Sequence, residues 1–223
     1  MWRLTLLTFL TLAQLIWALE FTRHTQTVEV TPDQSTIHVD YAFSNPTKHK
    51  IDIAKIDAPC TCLSATLLDK EKLANKSTSI KPGAKGYVRA TLDIGNFKGQ
   101  LNKKLIVWTN EKGAPPQVLN LNVKVPSLVT AIPKSLSWKK NVKASQKEFS
   151  IIVSDSKPYK IISHKASNKN FKYQLTTEKE GYAYKLTVTP TNTKTPCFAA
   201  IELTTDSTEP RYQKIHCYLS IKP

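Results

Sequence analysis

The residues of this chain best suited to chemistry are its four cysteines, Cys60, Cys62, Cys197 and Cys217. Four thiols allow three pairings. Cys60-Thr61-Cys62 comes straight after Pro59 and closely follows an alternating run at 51–56. Two cysteines one residue apart either close a small, strained disulfide that reduces readily or, when reduced, hold a soft ion such as Cu(I). A tetrahedral zinc site needs further ligands, and only His38 and His49 lie near in sequence. A bridge that merely pins its loop is the structural alternative, and the spacing lacks the setting of a C-x-x-C at a helix start. Cys197 and Cys217 read differently. If 198–204 and 212–221 form a hairpin turning around Ser207, each cysteine is ten residues from the turn and the two face one another. A bridge closing a loop of about 20 residues contributes roughly 3 kcal/mol in the chain-entropy model. The expectation is a structural Cys197–Cys217 disulfide.

Other chemistry is sparse. The sequence has no G-x-S-x-G elbow, no H-E-x-x-H, no phosphate-cradling glycine loop and no dinucleotide fingerprint. The five histidines (His24, His38, His49, His164 and His216) are scattered. His38 and His216 fall on outward phases of alternating runs, where a histidine is solvated. We therefore expect no catalytic residues, no cofactor and no enzymatic activity.

The elements that must position the cysteines are short strands. Ile37, Val39, Tyr41 and Phe43 alternate with His38, Asp40 and Ala42 until Ser44-Asn45-Pro46 stops the run. Val88, Ala90, Leu92 and Ile94 alternate against Arg89, Thr91 and Asp93, and further runs occupy 103–109 and 117–125. Beyond these, 149–153, 159–162, 171–175, 182–188, 198–204 and 212–221 read as strands separated by turn-rich segments. No segment after residue 18 holds a helical period for three turns; 67–75 is a short helix at most. The halves also match at an offset of 96 residues, with Leu105, Val107, Thr109, Leu119 and Leu121 falling on Ile201, Leu203, Thr205, Ile215 and Cys217. Seven or so strands per hundred residues, twice, predicts an all-β protein of two tandem immunoglobulin-like β-sandwich domains. The boundaries expected are 19–126 and 127–223, with a proline-stiffened linker from Pro126 to Pro133.

The first 18 residues read as a signal peptide: Arg3, then an uncharged apolar run from Leu4 to Trp17, then Ala18 as the cleavage site. The run is short of the roughly 20 apolar residues that a spanning helix needs. Export to the periplasm or beyond puts the thiols in an oxidising compartment and leaves no transmembrane segment in the mature chain. Losing Arg3 takes the formal charge from +15 to +14. Such a balance invites a nucleic-acid reading, but export argues against it. So do the four arginines in the whole chain, since base and phosphate recognition favours Arg over Lys. The lysines are spread through nearly every segment, as on a solvated surface. No nucleic-acid partner is expected. Salt-sensitive attraction to anionic polymers or headgroups fits the charge.

A wider pattern surrounds the C-x-C. Phe43-Ser44-Asn45-Pro46 leads into Ile51-Asp52-Ile53, then Cys60-Thr61-Cys62, Lys81-Pro82-Gly83 with Gly86, Gly95, Lys98-Gly99, and Val107-Trp108-Thr109-Asn110. In that order it resembles the exported bacterial family called domain of unknown function 1573, over about residues 20–125. The resemblance implies an Ig-like sandwich and an envelope location, and it implies no established activity. Thr61 stands where the family usually has glycine, so its side chain is expected to restrict a tight turn. Asn45-Pro46 and Lys81-Pro82-Gly83 are also turn chemistry in their own right. The expected function is thus an exported, non-catalytic module that binds or scaffolds an envelope protein or polymer. The alternatives are copper binding or redox work at Cys60 and Cys62, and electrostatic binding of anionic polymers.

Overall fold

A computed structural model describes residues 19–75 and 77–223, so the expected signal peptide at 1–18 lies outside the described residues. The first nine strands are β1 (Glu20–Phe21), β2 (Thr25–Glu29), β3 (Thr36–Ser44), β4 (Ile51–Asp57), β5 (Leu63–Leu68), β6 (Ser79–Ile80), β7 (Lys85–Asp93), β8 (Gly99–Thr109) and β9 (Gln117–Val125). They form a four-stranded sheet, β1-β3-β7-β5, and a five-stranded sheet, β2-β9-β8-β4-β6. The next eight are β10 (Val129–Ile132), β11 (Ser135–Lys139), β12 (Lys147–Val153), β13 (Ile161–Ala166), β14 (Phe171–Lys179), β15 (Ala183–Pro190), β16 (Cys197–Thr205) and β17 (Lys214–Lys222). These make the sheets β10-β12-β15-β14 and β11-β17-β16-β13. A one-turn helix, α1 (Pro210–Gln213), precedes β17.

Both pairs of sheets follow one plan, in which the opening strand is split between them. β1 pairs with β3 in one sheet while β2 lies beside β9 in the other; likewise β10 pairs with β12 while β11 runs parallel to β17. This is the strand order of an immunoglobulin-like sandwich. The 96-residue offset now has a physical meaning, since it lays β7, β8 and β9 on β15, β16 and β17, strands in equivalent places.

Packing divides the chain into two compact units. Of the described residues, one takes 19–26, His38–Leu92 and Lys103–Leu121; the other takes Thr27–Ile37, Asp93–Asn102 and Asn122–Pro223. The alternation drives burial as expected. In β3 the odd-numbered Ile37, Val39, Tyr41 and Phe43 are buried, and the Tyr41 hydroxyl donates to the Asn120 carbonyl of β9 at 2.7 Å, tying one sheet to the other. The core of the second unit includes Trp138, Phe149, Ile151, Leu186, Ile201 and Leu219. Burying each large apolar side chain contributes roughly 1.5–3 kcal/mol.

Two expectations need correction. Residues 129–132 are not linker: they form β10, paired with β12 from Val129↔Val153 to Ile132↔Ser150, because Val129 has a core to face. Residues 67–75 contain no helix: Leu67 and Leu68 finish β5, and the chain folds back so that the Asn75 amide donates to the Leu67 carbonyl at 2.9 Å. That return covers part of an exposed strand edge. The edge strands β13 and β14 are broken by register shifts at Ile161/Ser163 and Thr177/Lys179. Among the described residues no helix is long and apolar enough to cross a membrane.

Candidate functional site

The C-x-C occupies the crossing from one sheet to the other. β4 leaves the five-stranded sheet at Asp57, and β5 enters the four-stranded one at Leu63. In between, the Cys60 amide donates to the Ala58 carbonyl at 2.8 Å and the Leu63 amide to the Cys60 carbonyl at 3.2 Å. The second bond closes a β-turn with Thr61 and Cys62 at its centre. Within it Cys60 and Cys62 are bonded to one another, their Cα atoms 5.4 Å apart, and both are half-buried. Thr61 does not obstruct this. Among the described non-glycine residues only Lys72 and Asn141 have positive φ, so the turn needs no glycine at its centre, and the Thr61 side chain points to solvent.

As a metal centre the turn stands alone. Among the described residues no group of three or more His, Cys, Asp or Glu side chains is placed to hold an ion. His38 Nδ1 lies 2.9 Å from Thr91 Oγ1, and His49 Nε2 lies 3.1 Å from a Glu111 carboxylate oxygen. Neither histidine joins the cysteines, so the described residues bring no tetrahedral set of zinc ligands together here. While the two sulfurs are bonded they present no thiolate, so Cu(I) chemistry at Cys60 and Cys62 has to begin with reduction.

The Cys197–Cys217 disulfide is not formed, and both thiols are free. The hairpin register explains it. β16 and β17 pair so that Cys197 faces Ile221 and Cys217 faces Ile201. The turn is therefore centred two residues beyond Ser207, because α1 lengthens the β17 side. Both cysteines point into the sandwich, yet they sit four residues apart along the ladder. Cys217 is fully buried, and burial pushes its thiol up to about 12.

The other signature residues build the opposite end of the first sheet pair. Asn45 is fully buried, and its amide nitrogen donates to the His49 and Ile80 carbonyls, both at 2.9 Å. Its backbone amide donates to the Ala84 carbonyl, and the Gly83 amide donates to the Asn45 carbonyl. Gly83 has φ +73, as the Pro-Gly turn requires. At Gly86 a Cβ would lie 2.6 Å from the Leu68 carbonyl oxygen and 2.8 Å from Phe43 Cζ, so this glycine serves close packing. Asn110 exchanges bonds with Asp52: its Oδ1 accepts from the Asp52 backbone amide at 2.9 Å, its own backbone amide donates to the Asp52 carbonyl at 3.0 Å, and its side-chain amide donates to the Asp52 carboxylate at 3.1 Å.

Sequence reasoning missed one surface. Phe198 of β16 and Tyr218 of β17 are 64% and 45% exposed, and their rings lie 5.9 Å apart with planes 26° from parallel. His216 continues the row, 6.2 Å from Tyr218 and 13° from parallel with it. The signal was present in the alternation. Phe198, His216 and Tyr218 sit on the phase where polar residues belong, but only the register of β16 with β17 shows that they meet.

Comparison with solved structures gives distant likenesses. A protein of unknown function from Porphyromonas gingivalis W83 aligns over 92% of this chain and 100% of its own, at 9% identity and a TM-score of 0.37. The YadV chaperone aligns over 91% of this chain and 100% of its own, at 8% identity and 0.35. The VesB protease of Vibrio cholerae aligns over 48% of this chain, which spans 32% of that protein, at 9% identity and 0.39. Likenesses this distant carry no functional argument. A comparison with curated proteins found no match. The family that matches is the one described as protein of unknown function, DUF1573: its model covers residues 19–125, the stretch that holds the C-x-C turn and the Asn45, Pro82-Gly83 and Asn110 clamps, and this part of the chain resembles that family.

Proposed function

We propose that the chain is an exported, non-catalytic module of two tandem immunoglobulin-like sandwiches that binds or scaffolds an envelope protein or polymer, in the periplasm or outside the cell. One observation carries this reading. The polar groups of Asn45 and Asn110, and the turn at Pro82-Gly83, are engaged within the fold itself. These residues build a scaffold, which leaves strand faces, edges and loops as the contact surface. The leader at 1–18 supports export. Affinity capture of the tagged protein from a fractionated envelope tests it. Repeated recovery of a specific protein or polymer is the expected result, and capture of neither would overturn it.

A second reading is favoured by the half-exposed position of Cys60 and Cys62 in their turn. On it, the reduced pair holds Cu(I) or exchanges with a thiol partner. Native mass spectrometry with reductant and Cu(I) decides: a stoichiometric adduct lost in Cys62→Ser supports it, and a bridge inert to mild reductant sinks it. The formal charge of +15, or +14 without Arg3 of the expected leader, supports a third, electrostatic attachment to an anionic surface, and binding that ignores salt would dispose of that one.

A further inference from the structure

Alternation along a strand sends successive side chains to opposite faces, and the outward face of the β11-β17-β16-β13 sheet is unusual in what it presents. Phe198, Tyr218 and His216 form a diagonal row of near-parallel rings with centroids 5.9 and 6.2 Å apart. Beside the row, Glu202 lies opposite His216 in the ladder, with one carboxylate oxygen 3.2 Å from His216 Nε2 and the other 3.1 Å from Lys214 Nζ. Around it the same phase of the sheet carries Lys139 opposite Lys222, and Lys165 opposite Glu202. All four lysines are exposed. The face therefore holds four lysines and one carboxylate, which is already engaged.

We propose that this face is a binding site for an acidic polysaccharide, the rings carrying the sugar units and the lysines their carboxylates or sulfates. This rests on the reading of the chain as a polymer-binding envelope module and names the surface and the polymer class. Phe198 and Tyr218, exposed side by side, form an apolar patch of the kind that larger interaction sites are built on. Their negative π faces attract the polarised C–H groups on the apolar side of a pyranose. The ring spacing is close to the advance of one sugar unit along an extended glycan, and too tight for a nucleobase to slide between. Glu202 is held by His216 and Lys214, and sugar hydroxyls can donate to its remaining lone pairs. No arginine stands among the outward residues of these strands. The lysine excess supplies charge complementarity to an acidic chain and predicts attachment that weakens with salt.

Affinity electrophoresis of the full chain through gels containing alginate, with dextran and oligo-dT as controls, tests the assignment. Retardation by alginate that exceeds both controls and fades with salt is expected. The double substitution Phe198→Ala and Tyr218→Ala should weaken it by about tenfold, the loss of one good contact, with an unchanged melting temperature. If the double variant unfolds, Tyr218→Leu keeps the apolar bulk without the π face and should still bind more weakly. Equal retardation of parent and ring variants would show that charge alone acts, and would overturn the site. Tighter retention by oligo-dT, or equal retention by dextran, would overturn the polymer class. Absence of alginate binding while envelope capture still recovers a partner would overturn the glycan site and leave the module reading standing; failure of both would remove both.

Discussion

Two strand connections in this protein each involve a pair of cysteines, one within the turn and the other on the flanking strands, and they treat them in opposite ways. The turn between β4 and β5 crosses from one sheet to the other and brings Cys60 and Cys62 together within a single β-turn. The hairpin between β16 and β17 stays in one sheet and holds Cys197 and Cys217 four residues apart along its ladder. The lesson concerns what sets proximity. In a tight turn the local backbone is enough. Across a hairpin the register decides, and the register follows from how many residues the turn consumes.

The sharpest way to test the contrast is to disturb the buried member of the separated pair. Cys217→Ser puts a hydroxyl in a fully apolar site and should cost about 2 kcal/mol, read from the denaturant midpoint. An unchanged midpoint would mean that the thiol is not where the register puts it. The pH dependence comes next. Burial raises the Cys217 pKa in the fold, so the stability tied to its neutral thiol is complete below the ordinary value of 9.0 and is lost as pH rises towards about 12. The parent should lose up to about 1.4 kcal/mol per pH unit more than Cys217→Ala in that window. A parallel decline in both proteins would refute the assignment.

Smaller effects belong to the crossing turn. Cys62→Ser opens a very short ring and should cost only about 1.5 kcal/mol under the chain-entropy model, with β4 and β5 still paired to their neighbours. Smallest is the difference in reactivity. Alkylation of the native protein at neutral pH, without reductant, should leave Cys217 unlabelled, and denaturation without reductant should add Cys217 but neither Cys60 nor Cys62. Labelling of all four under those conditions would erase the contrast between the turns.

The contrast also shows how far the sequence can be read. The long strands were legible because alternation such as Ile37-Val39-Tyr41-Phe43 reports directly on burial, and β8 and β9 could be matched to β16 and β17 by the 96-residue offset. The location of the C-x-C in a turn followed from Pro59 and the run at 51–56 before it, whereas β5 after it went unread. The failures have two causes. β1, β2 and β10 are two to five residues long, too short for a period to emerge, so β10 reads as linker. The Cys197–Cys217 pairing failed because equal spacing from Ser207 presumes a symmetric turn, and Pro210–Gln213 makes it asymmetric with one helical turn. The ring row of Phe198, Tyr218 and His216 depends on the same register and was hidden for the same reason.

The split opening strand has a mechanical side. In the second half β11 runs parallel to β17, paired at five positions from Ser135↔Tyr218 to Lys139↔Lys222. Tension applied between the start of β11 and the end of β17 draws these two strands past one another along their length. Their ladder is then loaded all at once, and no single bond at its end can open first as in a zipper. A chain anchored at both ends of this half would resist stretching with a whole ladder, which suits a part that has to hold its shape under load.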